Sequence, residues 1–280
     1  MAARFLVVPQ WQGSGSSRAM RLIDGANAIR GDLPASATRV VEIPMEAGDT
    51  LDTGVQRYSS LVIIRERATA ELRHLDGAVI TVGGDCASDL ASVQHAIANR
   101  EPGDVALVWL DAHGDINDAA SSPSGAFHGM VLRAILGDAP DGLTPHAGQE
   151  IAATSVVLAG TRALDDGESD FVDSSGVQVV LIDDLQTPDA LLAALDATGA
   201  TSVYLHIDLD VLDPATMLGI GYPEPFGLQP DQLCDLIRAV RGRFELAGAA
   251  VMEFAPETPD AANHDLPVIL RILGALTSTA

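Results

Sequence analysis

The chain has little cysteine, few aromatic residues and few basic residues, and these shortages disfavour several classes of protein. Its only cysteines, Cys86 and Cys234, are too few for a disulfide framework and are typical of a reducing compartment. Lysine and arginine total 16 against 39 aspartates and glutamates, a formal net charge of −23. This charge disfavours nucleic acid and anionic membranes as partners, because both are polyanions, and it is compatible with a cationic substrate or a metal ion.

Long hydrophobic runs are also lacking. The run at residues 5–9 is too short for a signal peptide, and no later run has the length of a membrane span. We therefore expect a soluble, cytoplasmic protein. Hydrophobic residues make up 47% of the chain but aromatics only 4%, so alanine, valine, leucine and isoleucine must fill a sizeable core.

Short apolar runs alternate with helix-length stretches along the chain, which predicts a parallel β-sheet covered by helices. The runs are residues 5–9, 39–44, 78–82, 105–110, 155–160, 177–182, 202–207 and 249–253. The helix-length stretches are residues 16–30, 56–74, 87–99, 187–197, 230–246 and 264–277. Eight strands fit either a closed barrel or an open three-layer sandwich, and their spacing does not choose between the two. No linker or repeat divides the chain, so we expect one domain over residues 1–280.

One of these runs, VALVWL at residues 105–110, is followed by metal-type ligands at alternate positions: Asp111, His113 and Asp115. In an extended chain such residues share one face. Neighbouring buried carboxylates repel each other unless a cation lies between them or they bind protons. Taken alone, the segment is as compatible with an acidic loop as with a metal site.

The same pattern follows three further apolar runs. Asp208 and Asp210 end residues 202–210, Cys86 follows the glycines of VGGDC, and Glu253 ends AAVME. Because the carboxyl ends of parallel strands meet at one edge of a sheet, these side chains can converge. A set of four aspartates and one histidine is more typical of a site for Mn²⁺, or for Fe²⁺ or Mg²⁺, than of a structural zinc site. It could hold two ions about 3.5–4 Å apart.

His206 shares a strand face with Asp208. We expect His206 to pack in the core; the alternative is that it supports the metal site.

These segments, together with His128 in AFHGM, resemble the signature motifs of the arginase/agmatinase, or ureohydrolase, family. Their order and spacing agree from about residue 78 to 256. The resemblance implies a three-layer α/β/α sandwich with an eight-stranded parallel sheet. It also implies hydrolysis of a guanidinium group by a hydroxide held between two metal ions, usually Mn²⁺.

The resemblance assigns a role to each side chain of the predicted site. Asp111 and Asp208 resemble the carboxylates that bridge the two metals. Cys86 and Asp115 would complete one metal site, whereas His113 and Asp210 would complete the other. Two further catalytic residues are a histidine that transfers a proton to the leaving amine and a carboxylate that pairs with the guanidinium, here His128 and Glu253.

The resemblance also assigns contacts to the amino-acid end of a substrate. Asn117, Ser122 and Ser124 lie at the spacing of residues that bind an α-carboxylate, and Asp165 and Glu168 resemble residues that receive the α-amino group. Such contacts imply an arginine-like amino acid rather than agmatine. The two serines are equally ordinary in an exposed loop.

Cys86 departs from the family pattern, which has histidine at this position. A thiol is softer than imidazole, suits Mn²⁺ less and must lose a proton to bind, so we expect weaker or altered metal occupancy. This cysteine, with an arginine-type pocket, resembles the family members of D-cycloserine biosynthesis that convert Nω-hydroxy-L-arginine to hydroxyurea and L-ornithine. Ordinary arginine hydrolysis, hydrolysis of another guanidino acid and a metal-impaired binding or regulatory subunit are the alternatives. The sequence leaves the oligomeric state open.

Overall fold

The computed structural model describes residues 3–278 and contains one open sheet of eight parallel strands in the order β2-β1-β3-β8-β7-β4-β5-β6. The strands are β1 (Arg4–Val8), β2 (Thr38–Val40), β3 (Val79–Gly83), β4 (Val105–Leu110), β5 (Val156–Ala159), β6 (Gln178–Val180), β7 (Ser202–Asp208) and β8 (Glu245–Met252). All eight predicted strands are present, and the open order excludes the barrel. The predicted eight-stranded parallel sheet is confirmed.

Helices cover both faces of this sheet. They are α1 (Arg21–Gly31), α2 (Tyr58–Leu72), α3 (Leu90–Ala98), α4 (Val131–Ile135), α5 (Asp166–Ser175), α6 (Asp189–Thr198), α7 (Pro230–Arg243) and α8 (Ala262–Thr277). Helix α8 packs against α1 and α7 over one face, whereas α3 packs against α2 and α4 over the other. The three-layer α/β/α sandwich is therefore confirmed; that residues 1–280 form a single domain stays a prediction.

Two helices lie outside the stretches that the sequence predicted. Helix α4 has only five residues. Helix α5 buries only Glu168 and so lacks an apolar stripe. It begins instead with a capping box, in which the Asp165 side chain accepts from the Glu168 backbone N–H and the Glu168 side chain accepts from that of Asp165. Hydrophobic periodicity is the wrong signal for such a helix.

The central strands are buried on both faces, so each contributes side chains to both layers of the core. Val108 and Leu205 belong to the core under α7 and α8, whereas Trp109 and Tyr204 belong to the core under α3 and α4. Trp109 pairs in register with His206 of β7. This alternation decides which side chains of β4 and β7 face α3.

The strand order places β3, β8, β7 and β4 next to each other at the centre of the sheet. These are the four strands whose carboxyl ends carry the predicted ligands. The topology thus brings together residues that are more than 160 positions apart in sequence, such as Cys86 and Glu253, whose backbone N–H and Oε1 lie 3.3 Å apart. Within residues 3–278, no helix has the length and apolar character needed to cross a bilayer.

Gly25 of α1 allows this helix to approach the segment after β8. A Cβ at Gly25 would overlap the Phe254 carbonyl oxygen, whereas a Cβ at Gly31 of the same helix would meet open space. We predict that Gly25→Ala lowers the free energy of unfolding by about 1–3 kcal/mol through overpacking. Gly31→Ala should change it by less than about 1 kcal/mol, towards stabilisation. Urea denaturation measures both; an equally stable Gly25→Ala variant would contradict the packing.

Candidate metal centre

The turn after β3 carries Cys86 into the interior. Gly84 permits close backbone contact there, because a Cβ at this position would overlap the Gln10 carbonyl oxygen. Asp85 caps the following turn through the Ala87 N–H, and it also accepts from Gln10 Nε2 at 2.8 Å and from Gly13 N–H at 2.9 Å. Burial raises the pKa of Asp85 to about 7, despite these hydrogen bonds. Asp85 thus fixes both the turn and the chain before α1. Cys86, the next residue, is 1% exposed.

Asp111, His113 and Asp210 form one half of the predicted centre, at the ends of β4 and β7. His113 Nδ1 lies 2.8 Å from Asp210 Oδ2 and 3.5 Å from Asp111 Oδ1. Both aspartates are fixed by backbone N–H groups, from Ala112 to Asp210 at 3.0 Å and from His113 to Asp111 at 2.6 Å. Ligand atoms of all three side chains lie within 4.8 Å of one another, which suits one shared cation.

Cys86, Asp208 and Glu253 form a second such group. Cys86 Sγ lies 2.9 Å from Asp208 Oδ2, and Asp208 Oδ1 accepts from the Asp210 N–H at 2.8 Å. Asp208 thus lies between the thiol and the Asp111–His113–Asp210 group, which is the position that a bridging carboxylate requires. Burial, followed by the charge of Asp208, raises the pKa of the Cys86 thiol well above its usual value.

Asp115 and Glu253 have left-handed backbone conformations, with φ of 52° and 63°. Such conformations are uncommon for residues other than glycine and concentrate at functional sites. Asp115 Oδ2 and Glu253 Oε2 are buried and have no hydrogen-bond partner among residues 3–278. Both oxygens are therefore available for a cation.

The carboxylates of this cluster are under strong mutual repulsion. Burial, followed by the charge of a neighbouring acid, raises the pKa values of Asp115, Asp208 and Glu253 well above the usual range and that of Asp210 to about 6. For His113, hydrogen bonds to Asp111 and Asp210 outweigh burial and raise its pKa to about 12. In this way the protein compensates acidic charge with one imidazolium and bound protons. Oxygen, nitrogen and sulfur donors with two unpartnered oxygens fit divalent metal ions in place of those protons.

His128 lies beside this cluster, in the short helical turn Phe127–Met130. Its Nδ1 is 3.9 Å from Glu253 Oε1, and its backbone N–H donates to the Gly13 carbonyl oxygen at 3.0 Å. The Tyr222 ring stacks on the imidazole at 4.9 Å. Burial, followed by the charge of His113, lowers the pKa of His128 to about 4, so its imidazole is neutral at pH 7.

The five predicted substrate contacts lie on the loop before His128 and at the start of α5. Asn117 Nδ2 donates to Asp165 Oδ2 at 2.7 Å, which joins the two segments. Glu168 accepts from the Ile116 N–H at 3.3 Å. Ser122 and Ser124 accept hydrogen bonds from backbone N–H groups within their own loop, and Ser124 is exposed. The loop and α5 are thus brought together; substrate binding by these residues stays a prediction.

Sequence reasoning missed two side chains beside the cluster. Tyr222 comes from the long segment after β7, and no motif marked it. Asp89 accepts hydrogen bonds from Tyr204 and, at 2.9 Å, from His206. The alternation of β7 indicates that Tyr204, His206 and Asp208 share one face, but it gives no sign that Asp89 lies against them.

Comparison with known proteins identifies relatives over most of the chain. A profile of the Arginase family matches residues 18–272. The N(omega)-hydroxy-L-arginine amidinohydrolase of Streptomyces lavendulae is 28% identical over 262 residues, 93% of this chain and 89% of that protein. The arginase of Bacillus caldovelox is 34% identical over 157 residues, 53% of this chain and 52% of that protein. Among solved structures, Entamoeba histolytica arginase in complex with L-ornithine has a TM-score of 0.85 at 20% identity, covering 99% of this chain and 98% of that one.

The pKa shifts predict how the stability of the metal-free protein depends on pH. Asp115, Asp208, Glu253 and His113 have folded-state pKa values above their unfolded values, so the folded state binds more protons and stability falls as pH rises. The lowered pKa of His128 acts in the opposite direction, but only between about pH 4 and 6.5. From pH 7 to 8.5, the free energy of unfolding should therefore fall, by up to about 1.4 kcal/mol per pH unit for each retained proton.

Bound metal should reverse this trend, because metal ions need the carboxylates deprotonated. The measurement is urea unfolding of chelator-treated and metal-loaded protein at pH 7 and 8.5. The difference in free energy of unfolding between the two forms should be larger at pH 8.5. Metal-free protein of equal stability at both pH values would contradict the assignment of buried protons to this cluster.

Proposed function

We propose that this chain, which belongs to the arginase family, hydrolyses the guanidino group of an arginine-type amino acid. Its proposed preferred substrate is Nω-hydroxy-L-arginine. The family consists of hydrolases that act on C–N bonds of linear amidines. The products would be L-ornithine and hydroxyurea. The observation that carries the proposal is the convergence of ligand-type side chains at the ends of four adjacent central strands, with His128 beside them.

The proposed cofactor is a pair of Mn²⁺ ions. The residues that would hold them are Cys86, Asp111, His113, Asp115, Asp208 and Asp210, with Asp111 and Asp208 shared between the two ions. When bound, the metals lower the pKa of water and so supply a hydroxide nucleophile at neutral pH.

The remaining chemistry falls to the chain's own residues. Glu253 has a buried, unpartnered Oε2, which would orient the guanidinium by a charge-assisted hydrogen bond. His128 is neutral at pH 7 and can accept a proton that water loses. The same imidazole would then deliver that proton to the departing δ-nitrogen. Asn117, Ser122, Ser124, Asp165 and Glu168 are proposed to bind the amino-acid end.

Two observations favour the hydroxylated substrate. The Streptomyces lavendulae relative, named for hydrolysis of Nω-hydroxy-L-arginine, aligns over 93% of this chain. Cys86 supplies a thiol where the family pattern has histidine, and this cysteine is the residue that carries the resemblance to family members acting on Nω-hydroxy-L-arginine. Arginase is the second candidate, because arginases of bacteria match more than half of the chain. A location in the cytoplasm and the absence of nucleic-acid and membrane partners are proposed from composition alone.

Product analysis tests the proposal directly. Metal-loaded protein is given Nω-hydroxy-L-arginine, L-arginine and agmatine in parallel, and hydroxyurea, urea and ornithine are quantified. We expect kcat/KM for the hydroxylated amino acid to exceed that for L-arginine by at least about tenfold, or about 1.4 kcal/mol in transition-state stabilisation. Agmatine should be hydrolysed least, because it lacks the α-carboxylate. Asp208→Asn measures the background from contaminating hydrolases.

Each other result has a definite meaning. If urea is formed from L-arginine with a kcat/KM comparable to that for the hydroxylated amino acid, the proposed preference is contradicted. The protein would then act as an arginase. If the protein binds no metal and hydrolyses no guanidino compound after Mn²⁺ addition, the proposed hydrolase activity is contradicted. A role as a binding or regulatory subunit would then be favoured.

Cys86→His tests the proposed ligand. Imidazole binds a metal ion without losing a proton at pH 7, whereas the buried thiol must be deprotonated. We predict that this variant binds Mn²⁺ on the order of tenfold more tightly at one of its two sites, as measured by calorimetry and metal analysis. Cys234→Ala, at the other buried cysteine, is the control. Unchanged stoichiometry and affinity in Cys86→His would rule out Cys86 as a ligand.

A further inference from the structure

Within the described part of the chain, one imidazole nitrogen of His206 is left without a hydrogen-bond partner. The residue lies on β7, two positions before Asp208, and is 0% exposed. Its Nε2 atom has no hydrogen-bond partner among residues 3–278. A buried polar atom without a partner costs about 1–3 kcal/mol, so it calls for an explanation.

The hydrogen bond at Nδ1 determines whether Nε2 carries a hydrogen or a lone pair. Nδ1 lies 2.9 Å from Asp89 Oδ2, and a carboxylate oxygen at this distance requires a hydrogen on Nδ1. In the neutral ring, Nε2 then carries a lone pair. A carboxylate behind a histidine is the arrangement that commonly orients a metal-ligating imidazole and increases its basicity.

The ring is also prevented from turning away. It stacks on Trp109 with centroids 3.4 Å apart and planes 1° from parallel, and Trp109 Nε1 donates to Asp111 Oδ2 at 3.0 Å. The same tryptophan thus contacts His206 and holds Asp111. Because side chains at alternate positions of a strand share a face, His206 and Asp208 both project on the side of α3.

Two further donors lie close to the His206 ring. Ligand atoms of His206, Cys86 and Asp111 all lie within 4.8 Å of one another. Two donors on opposite sides of one ion, each at about 2.0–2.3 Å, are up to about 4.6 Å apart. We propose that His206 Nε2 is a direct ligand of the metal ion that Cys86 and Asp111 hold. This inference rests on the proposed metal centre and adds to it a residue outside the predicted ligand set.

A consequence for metal preference follows from the donor types. With His206, the ion beside Cys86 has a nitrogen and a sulfur donor, whereas the Asp111–His113–Asp210 group offers oxygen donors and one nitrogen. Softer donors favour Co²⁺ or Zn²⁺ over Mn²⁺. The two halves of the centre should therefore differ in metal selectivity.

The direct test is NMR spectroscopy of the wild-type protein with ¹⁵N-labelled histidine and Co²⁺ in place of the native metal. A ligated His206 should give a hyperfine-shifted imidazole N–H resonance that exchanges slowly with water, because its Nδ1–H is buried against Asp89. Loss of this resonance in His206→Gln assigns it. A protein that binds two Co²⁺ ions and shows no such resonance would overturn the proposal.

Metal affinity gives a second readout. His206→Gln should weaken one of the two metal-binding events by about 100-fold or more. Removal of a residue that only hydrogen-bonds a ligand typically costs about 10–100-fold in metal affinity. Asp89→Asn should weaken the same event by a smaller factor. His95→Ala, on α3 with its ring beside Asn99, is the control and should change neither. Unchanged affinities in folded His206→Gln would show that the ring serves only to pack against Trp109.

The outcomes separate this inference from the proposed function. If the wild-type protein binds two ions and hydrolyses its substrate but gives no shifted His206 resonance, the proposed function stands and His206 is not a ligand. Wild-type protein that binds no metal refutes both. If His206→Gln fails to fold, Asp89→Asn assigns the resonance instead, because loss of the carboxylate beside Nδ1 should shift it and speed its exchange with water.

Discussion

The repulsion among buried carboxylates at one edge of the sheet is the constraint on which the rest of the structure depends. Asp111, Asp115, Asp208, Asp210 and Glu253 are each at most 3% exposed. Five acids in one buried cluster are tolerable only with protons, His113 or cations among them. The raised pKa values of Asp208 and His113 favour the first two solutions, and the two unpartnered carboxylate oxygens offer donors for the third. The site is therefore a feature that the fold must stabilise.

The fold stabilises it with interactions that lie outside the cluster. Asp85 ties the chain before α1 to the turn that carries Cys86. Gly25 lets α1 approach the backbone beyond Glu253. Trp109 holds Asp111 and stacks on His206. These contacts link three of the four strand ends to neighbouring elements, and such support from surrounding residues holds the side chains of a site in position.

Much of this could be predicted from the sequence, because its strands are short apolar runs and their ends carry metal-type ligands. The alternation predicted eight strands and the parallel sheet; the choice of sandwich over barrel came from the resemblance. Helix α5 was missed because its signal is a capping box, and α1 begins at Arg21 rather than near residue 16. His206 was expected to pack in the core. Its unpartnered nitrogen depends on Asp89, 117 positions away, and no local pattern reveals such a pairing.

The central claim is that two metal ions lie at the carboxyl ends of β3, β8, β7 and β4. A crystal structure of Mn²⁺-loaded protein, with anomalous difference maps recorded at the manganese absorption edge, tests it most directly. We predict two anomalous peaks about 3.5–4 Å apart, one beside Cys86 and one beside His113, with Asp208 between them. A single peak, or peaks away from these four strand ends, would contradict the account.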